Sequence, residues 1–187
     1  AEEESEGIWI LDKQTPVGVD FIEYYQLKDT VLDIAILPNR GDCQSIIGLA
    51  REIAAITGEQ LKLPEITLTT ESISNPYQVS VQDSTVCPLY VGRYITNIQN
   101  GASPFWMQQR LEHCGIRSID RVVDITNYVL LEMGHPLHAF DHHKLTSNTI
   151  KIGSLETKQT IPTLDDIDRS IEPGQCLIFD DNQPVAI

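Results

Sequence analysis

Three glycines, Gly58, Gly115 and Gly134, each close a run of residues spaced for a helix. A glycine just past a helix end adopts the left-handed backbone that stops the helix cheaply. The first run carries Ile46, Ile47, Ala50, Ile53 and Ala54 on one face, and Asp42 is expected to cap a helix reaching about Thr57. The second begins at Ser103-Pro104, with Ser103 as expected cap and proline as first helical residue, and carries Met107, Leu111 and Cys114. The third is expected over about Arg121 to Met133, with Pro136 just beyond its end.

Between these helices the chain reads as short strands. Residues 8–12, 30–37, 77–83 and 89–97 are β-rich, and 148–187 alternates short strands with turns at Asp165-Asp166, Pro173-Gly174 and Asp181-Asn182. Strands and helices do not alternate one for one, so the expected class is α+β. Residues 59–76, with Pro64 and Pro76, read as a connector, which makes two lobes of about 7–76 and 77–187 conceivable. The acidic start and the apolar stretch up to Ile187 both suggest a piece of a longer chain.

Charge and cysteines narrow the function classes. With 13 Lys and Arg against 27 Asp and Glu, the net charge is −14, which opposes tight unaided binding to nucleic acid. Any RNA contact has to be local or supplied by another domain. Cys43, Cys87, Cys114 and Cys176 form no C-x-x-C pair and are expected as free thiols, with no metal site. No apolar run approaches the ~20 residues that span a bilayer. A soluble cytoplasmic protein is expected. No G-x-S-x-G, phosphate loop, dinucleotide fingerprint or H-E-x-x-H is present.

Candidate functional residues concentrate in 115–143, which holds four of the five histidines. Arg117, Asp124, Thr126, Asn127, His135 and His138 lie close together in sequence there. Thr126-Asn127 interrupts an apolar helical run, although both residues compete for backbone hydrogen bonds and favour caps. The pair reads either as a cap-like structural element or as a polar patch at a cleft mouth. His138, between Leu137 and Ala139-Phe140, reads either as a core histidine or as a site residue. His142-His143 suggests a solvated turn, and Asp33 a structural ion pair with Arg40 or Arg51.

Residues 122–141, VVDITNYVLLEMGHPLHAFD, and 29–58, DTVLDIAILPNRGDCQSIIGLAREIAAITG, resemble hallmark stretches of bacterial-type phenylalanyl-tRNA synthetase β-subunits. The family pattern PNR-x-D-C-x-S-x-x-G-x-A-R-E falls in register on Pro38-Asn39-Arg40, Asp42-Cys43, Ser45, Gly48 and Ala50-Arg51-Glu52. Residues 104–121 also fit, and about 148–187 fit more loosely. The resemblance implies a central editing region of the β-subunit over 1–187: a layered α+β unit with a β-sandwich of unusual topology and about three helices.

It further implies a place in an (αβ)₂ heterotetramer, with an α-subunit partner, that charges tRNA-Phe using ATP and magnesium. No cofactor is implied for this stretch itself. The family's editing residues carry over to Thr126 and Asn127, to His138 in PLHAFD, and to Arg117 in the GIR stretch, which meets the tRNA end or braces the pocket. The family's glutamate for the tyrosine hydroxyl would lie beyond residue 187, so little activity is expected from this stretch alone. Two other readings stand beside editing: a non-catalytic module for subunit packing and tRNA positioning, and a free-standing editing protein.

Overall fold

The computed structural model describes residues 8–11, 13–68, 74–163 and 167–187. The fold is α+β, and contacts divide the chain into two compact units, Ala1–Leu37 and Pro38–Ile187.

The first unit is organised by aromatic rings. A single helical turn, α1 (Phe21–Tyr24), starts at Asp20, whose carboxylate accepts from the Glu23 amide at 2.9 Å. Trp9 meets Phe21 edge-on at 5.2 Å and Tyr25 at 5.4 Å. Residues 8–11 and 30–37 form no strand, contrary to the sequence reading. Strand propensity measures fit to a pleated, half-buried surface. Val31, Leu32 and Ile34 are instead exposed, and no described strand pairs along them. Asp33 is exposed as well, and Arg40 finds its carboxylates elsewhere.

In the second unit three longer helices appear: α2 (Ile46–Thr57), α3 (Phe105–His113) and α4 (Arg121–Met133). The cap of α2 is Ser45, not Asp42: Ser45 Oγ accepts from the Gly48 amide at 3.1 Å. Asp42 lies in a preceding 3₁₀ turn, Gly41–Cys43, where Arg40 claims its carboxylate. Helix α3 begins one residue later than expected, with Pro104 in the cap position and no side-chain cap. The Ser103 hydroxyl is used elsewhere. Helix α4 keeps its expected bounds, between a capping Asp120 and Gly134 at φ 73°.

Close approach fixes these helices against each other. A Cβ on Gly48 would stand 1.8 Å from the Asp42 carbonyl oxygen, so only glycine lets the 3₁₀ turn fold onto α2. A Cβ on Gly134 would come within 3.1 Å of the Ser45 Cβ, so the end of α4 rests on the start of α2. Between α3 and α4, Leu111 is fully buried and Met107 nearly so.

Among the described residues six strands complete the unit: β1 (Gln78–Val81), β2 (Thr149–Ser154), β3 (Gln159–Pro162), β4 (Asp168–Ile171), β5 (Cys176–Asp180) and β6 (Gln183–Ala186). The main sheet has the order β1-β2-β5-β6, with β1 and β2 parallel and the other pairs antiparallel. Parallel neighbours need a long crossover. Here that crossover contains α3 and α4. The hairpin β3-β4 packs Ile161 and Ile171 against Leu177 and Phe179 of β5, giving the second layer. Residues 89–97 form no strand: Leu89 and Val91 are both exposed, and no described strand pairs with them. The expected turns at Pro173-Gly174 and Asp181-Asn182 are present, and Asp165-Asp166 lies outside the described residues.

Candidate functional site

Helix α4 is held by one buried carboxylate. Asp124 is 0% exposed and accepts from Ser103 Oγ at 2.5 Å, Ser118 Oγ at 2.6 Å and the Ile119 amide at 2.9 Å. Burial pushes its pKa up, but these donors outweigh burial and leave it below the usual carboxylate value. The hydroxyl expected to cap α3 instead ties the start of α3 to α4.

Thr126 and Asn127 lie on the same helix, and both are half-buried. Thr126 Oγ1 donates to the Val123 carbonyl at 2.7 Å. Its proton is committed, but its oxygen can still accept from a ligand N–H or O–H. Asn127 has two amide donors and an acceptor, and among the described residues none is used by a side-chain hydrogen bond.

His138 lies four residues past Gly134 and is exposed, with its ring 4.2 Å from that of Phe140. Partial desolvation of the ring lowers its pKa, which favours the neutral imidazole at pH 7. Arg117 is exposed on the turn between α3 and α4. Among the described residues no hydrogen bond joins any two of these four side chains. His135 is exposed, and His142 packs against Tyr77 and Tyr94, with ring centroids at 6.4 and 5.7 Å.

Two further polar centres are structural in character. Arg40 donates to both carboxylate oxygens of Asp42, at 3.0 and 2.8 Å, and lies 2.6 Å from Glu52 Oε1 and 3.1 Å from Oε2. This forked pairing holds the Asp42 carboxyl at about 2. Asp42, Cys43 and Glu52 bring potential metal-ligand atoms within 4.8 Å of one another. The guanidinium already engages both carboxylates, leaving one net negative charge, and burial pushes the Cys43 thiol up in pKa, so the cluster is held as an ion-pair network. Asp180, also buried, accepts from the amides and hydroxyls of Thr146 and Ser147 at 2.5 to 2.9 Å. The four cysteines are free thiols.

Two hollows lie among the described residues. One of about 210 Å³ beside the main sheet is lined by Gln82, Lys151, Phe179 and Asn182 among others. Another of about 300 Å³ in the first unit is lined by Thr15, Val19, Phe21, Tyr24 and Tyr25 among others. Neither contains Arg117, Thr126, Asn127 or His138. Sequence reasoning missed the hydrogen-bonded role of Ser103 and Ser118 and the Asp180 clamp. The only local signal was an aspartate on the apolar face of α4. No described helix is long and apolar enough to cross a membrane.

Fold and site together define, in the second unit, an α+β domain whose crossover helix α4 carries accessible polar side chains and a satisfied buried carboxylate. Residues 86–187, more than half of the chain, match the B3/4 domain. The chain belongs to the B3/4 domain family. Its whole length is also similar to proteins named phenylalanine–tRNA ligase beta subunit. It is 46% identical to that of Syntrophus aciditrophicus, over 99% of the chain and 23% of the relative. It is 43% identical to those of Geobacillus kaustophilus and Geobacter sulfurreducens, over 99% and 98% of the chain. The chain spans about a quarter of the length of these relatives, 23% in each case.

Proposed function

We propose that this chain is part of a phenylalanine–tRNA ligase β-subunit and that its B3/4 region contributes to hydrolytic editing of tyrosyl-tRNA. The observation that carries this reading is the similarity to such subunits over 99% of the chain, a span that takes in the segment bearing Thr126, Asn127 and His138. The proposal includes the α-subunit partner, the (αβ)₂ assembly, tRNA-Phe as nucleic-acid partner, ATP and magnesium for the charging reaction, and the cytoplasm as location.

Chemistry supports editing at a site without a nucleophile. A synthetic pocket rejects an isostere bearing one added hydroxyl by only about 10². A second site must therefore destroy the wrong product. Ester hydrolysis needs a placed water and a stabilised oxyanion. In this mechanism neutral His138 accepts a proton as water attacks the ester carbonyl carbon. The carbon–oxygen bond to the ribose then breaks, the ribose oxygen regains a proton, and tyrosine leaves as its acid. Thr126 can accept from the amino group or a ribose hydroxyl, and the Asn127 amide can donate to the carbonyl oxygen. Arg117 suits the phosphates of the RNA end or support of the pocket rim.

Changing His138 to Ala in the heterotetramer tests the reading. Tyrosyl-tRNA deacylation is expected to fall 10²-fold or more, within the range for a positioned acid–base group. Wild-type activity should hold through neutral pH and decline only below the ordinary histidine value, because the neutral ring is the active form. Unchanged deacylation in the variant removes His138 from the mechanism. A role confined to subunit packing would instead leave deacylation intact and weaken assembly with the α-subunit.

A further inference from the structure

Trp106 is the largest side chain on α3, yet it remains 47% exposed. It is also firmly oriented. Tyr128 of α4 meets its ring edge-on at 5.5 Å and 90°, and the Arg110 guanidinium lies 5.5 Å from its centroid. Arg110 Nη1 donates to the Tyr128 hydroxyl at 2.9 Å, and that hydroxyl is 3.3 Å from Glu132 Oε1. An indole fixed on two sides and open elsewhere offers π-surface with little ordering cost.

Charge indicates what would cover it. The chain carries −14 overall, but residues 93–121 hold four arginines (Arg93, Arg110, Arg117 and Arg121) against two carboxylates, Glu112 and Asp120, with Glu132 of α4 a third beside the Tyr128 hydroxyl. Asp120 is further occupied as the cap of α4, accepting from the Val123 amide at 3.0 Å. A ring platform within a locally cationic segment of an acidic chain suits an anion bearing a flat ring, which is the chemistry of a nucleotide.

Register links this platform to the candidate site. Tyr128 directly follows Asn127 on α4, and at ~3.6 residues per turn the two side chains leave the helix about 100° apart, on adjoining faces.

Resting on the editing reading above, we infer that Trp106, held by Arg110 and Tyr128, is the stacking surface for the terminal base of the aminoacylated RNA end. It is a positioning residue and touches no reacting atom.

The test uses the heterotetramer and tRNA whose terminal base is 2-aminopurine and whose tyrosine is joined by an uncleavable amide. Binding is expected to quench the fluorophore by stacking. Trp106→Ala should abolish that quenching and raise KM for tyrosyl-tRNA deacylation about tenfold, with kcat changed less. Trp106→Phe, which keeps a ring and guards against misfolding, should restore most of both. His138→Ala should leave the quenching intact whether or not it deacylates, so failure of the editing reading is seen separately. Equal quenching in the wild type and Trp106→Ala overturns the inference. So does a Trp106→Ala variant that loses the α-subunit but retains quenching, which would mark a protein interface.

Discussion

Asp124 and Asn127 stand three residues apart on one helix and have opposite circumstances. Asp124 is fully buried and every hydrogen bond it accepts comes from within the fold. Asn127 is half-buried, and its amide is unused by described side-chain hydrogen bonds. Buried polar groups must be satisfied because desolvation costs about 1–3 kcal/mol for each one left bare. Accessible ones can keep their capacity for a ligand at little cost. The two residues thus separate what holds α4 in place from what α4 can present. Thr126 is intermediate: its proton serves the helix and its oxygen does not.

The largest effect that could break this contrast is on Asp124. Replacing it with Ala strands the Ser103 and Ser118 hydroxyls and the Ile119 amide, and should cost about 3–5 kcal/mol in denaturant unfolding. A loss under 1 kcal/mol would mean that the carboxylate does not organise the α3–α4 pair.

A smaller effect is expected at Asp180, the other satisfied carboxylate. Asp180→Asn should cost about 2 kcal/mol at pH 7, since hydrogen bonds to a charged acceptor are the stronger kind. Burial raises this carboxyl, but the donors of Thr146 and Ser147 outweigh it and hold the pKa at about 2. Its folded value is depressed, so its stabilisation is complete above the unfolded value of about 3.9 and is lost as pH falls through about 2. Melting curves of wild type and variant should therefore converge between those limits. A gap that stays constant down to pH 2 would assign the effect to shape rather than charge.

What the sequence disclosed, and what it hid, follows the distance between interacting groups. Helix α4 was legible to its ends because Gly134 acts on its own turn and the apolar run is continuous. The α2 cap was misassigned because Asp42 and Ser45 are both able caps, and Arg40 decides between them by pairing with Asp42. The runs at 30–37 and 89–97 looked like strands because local propensity says nothing about a pairing partner. The Ser103–Asp124 and Thr146–Asp180 bonds span 21 and 34 residues, beyond the reach of any local pattern. Thr126-Asn127 stood out for a local reason, two polar residues in an apolar helix, and Thr126 donates to the Val123 carbonyl of its own helix.

The smallest expected effect on stability belongs to Thr126 and Asn127 themselves, and measuring it together with activity tests the central claim. In the heterotetramer, the double variant Thr126→Ala, Asn127→Ala should unfold within about 1 kcal/mol of wild type, because Ala is the better helix former at both positions. Tyrosyl-tRNA deacylation by the same variant should fall at least about tenfold, as expected when ester-positioning hydrogen bonds are removed. Deacylation at the wild-type rate from a stably folded double variant would contradict the account.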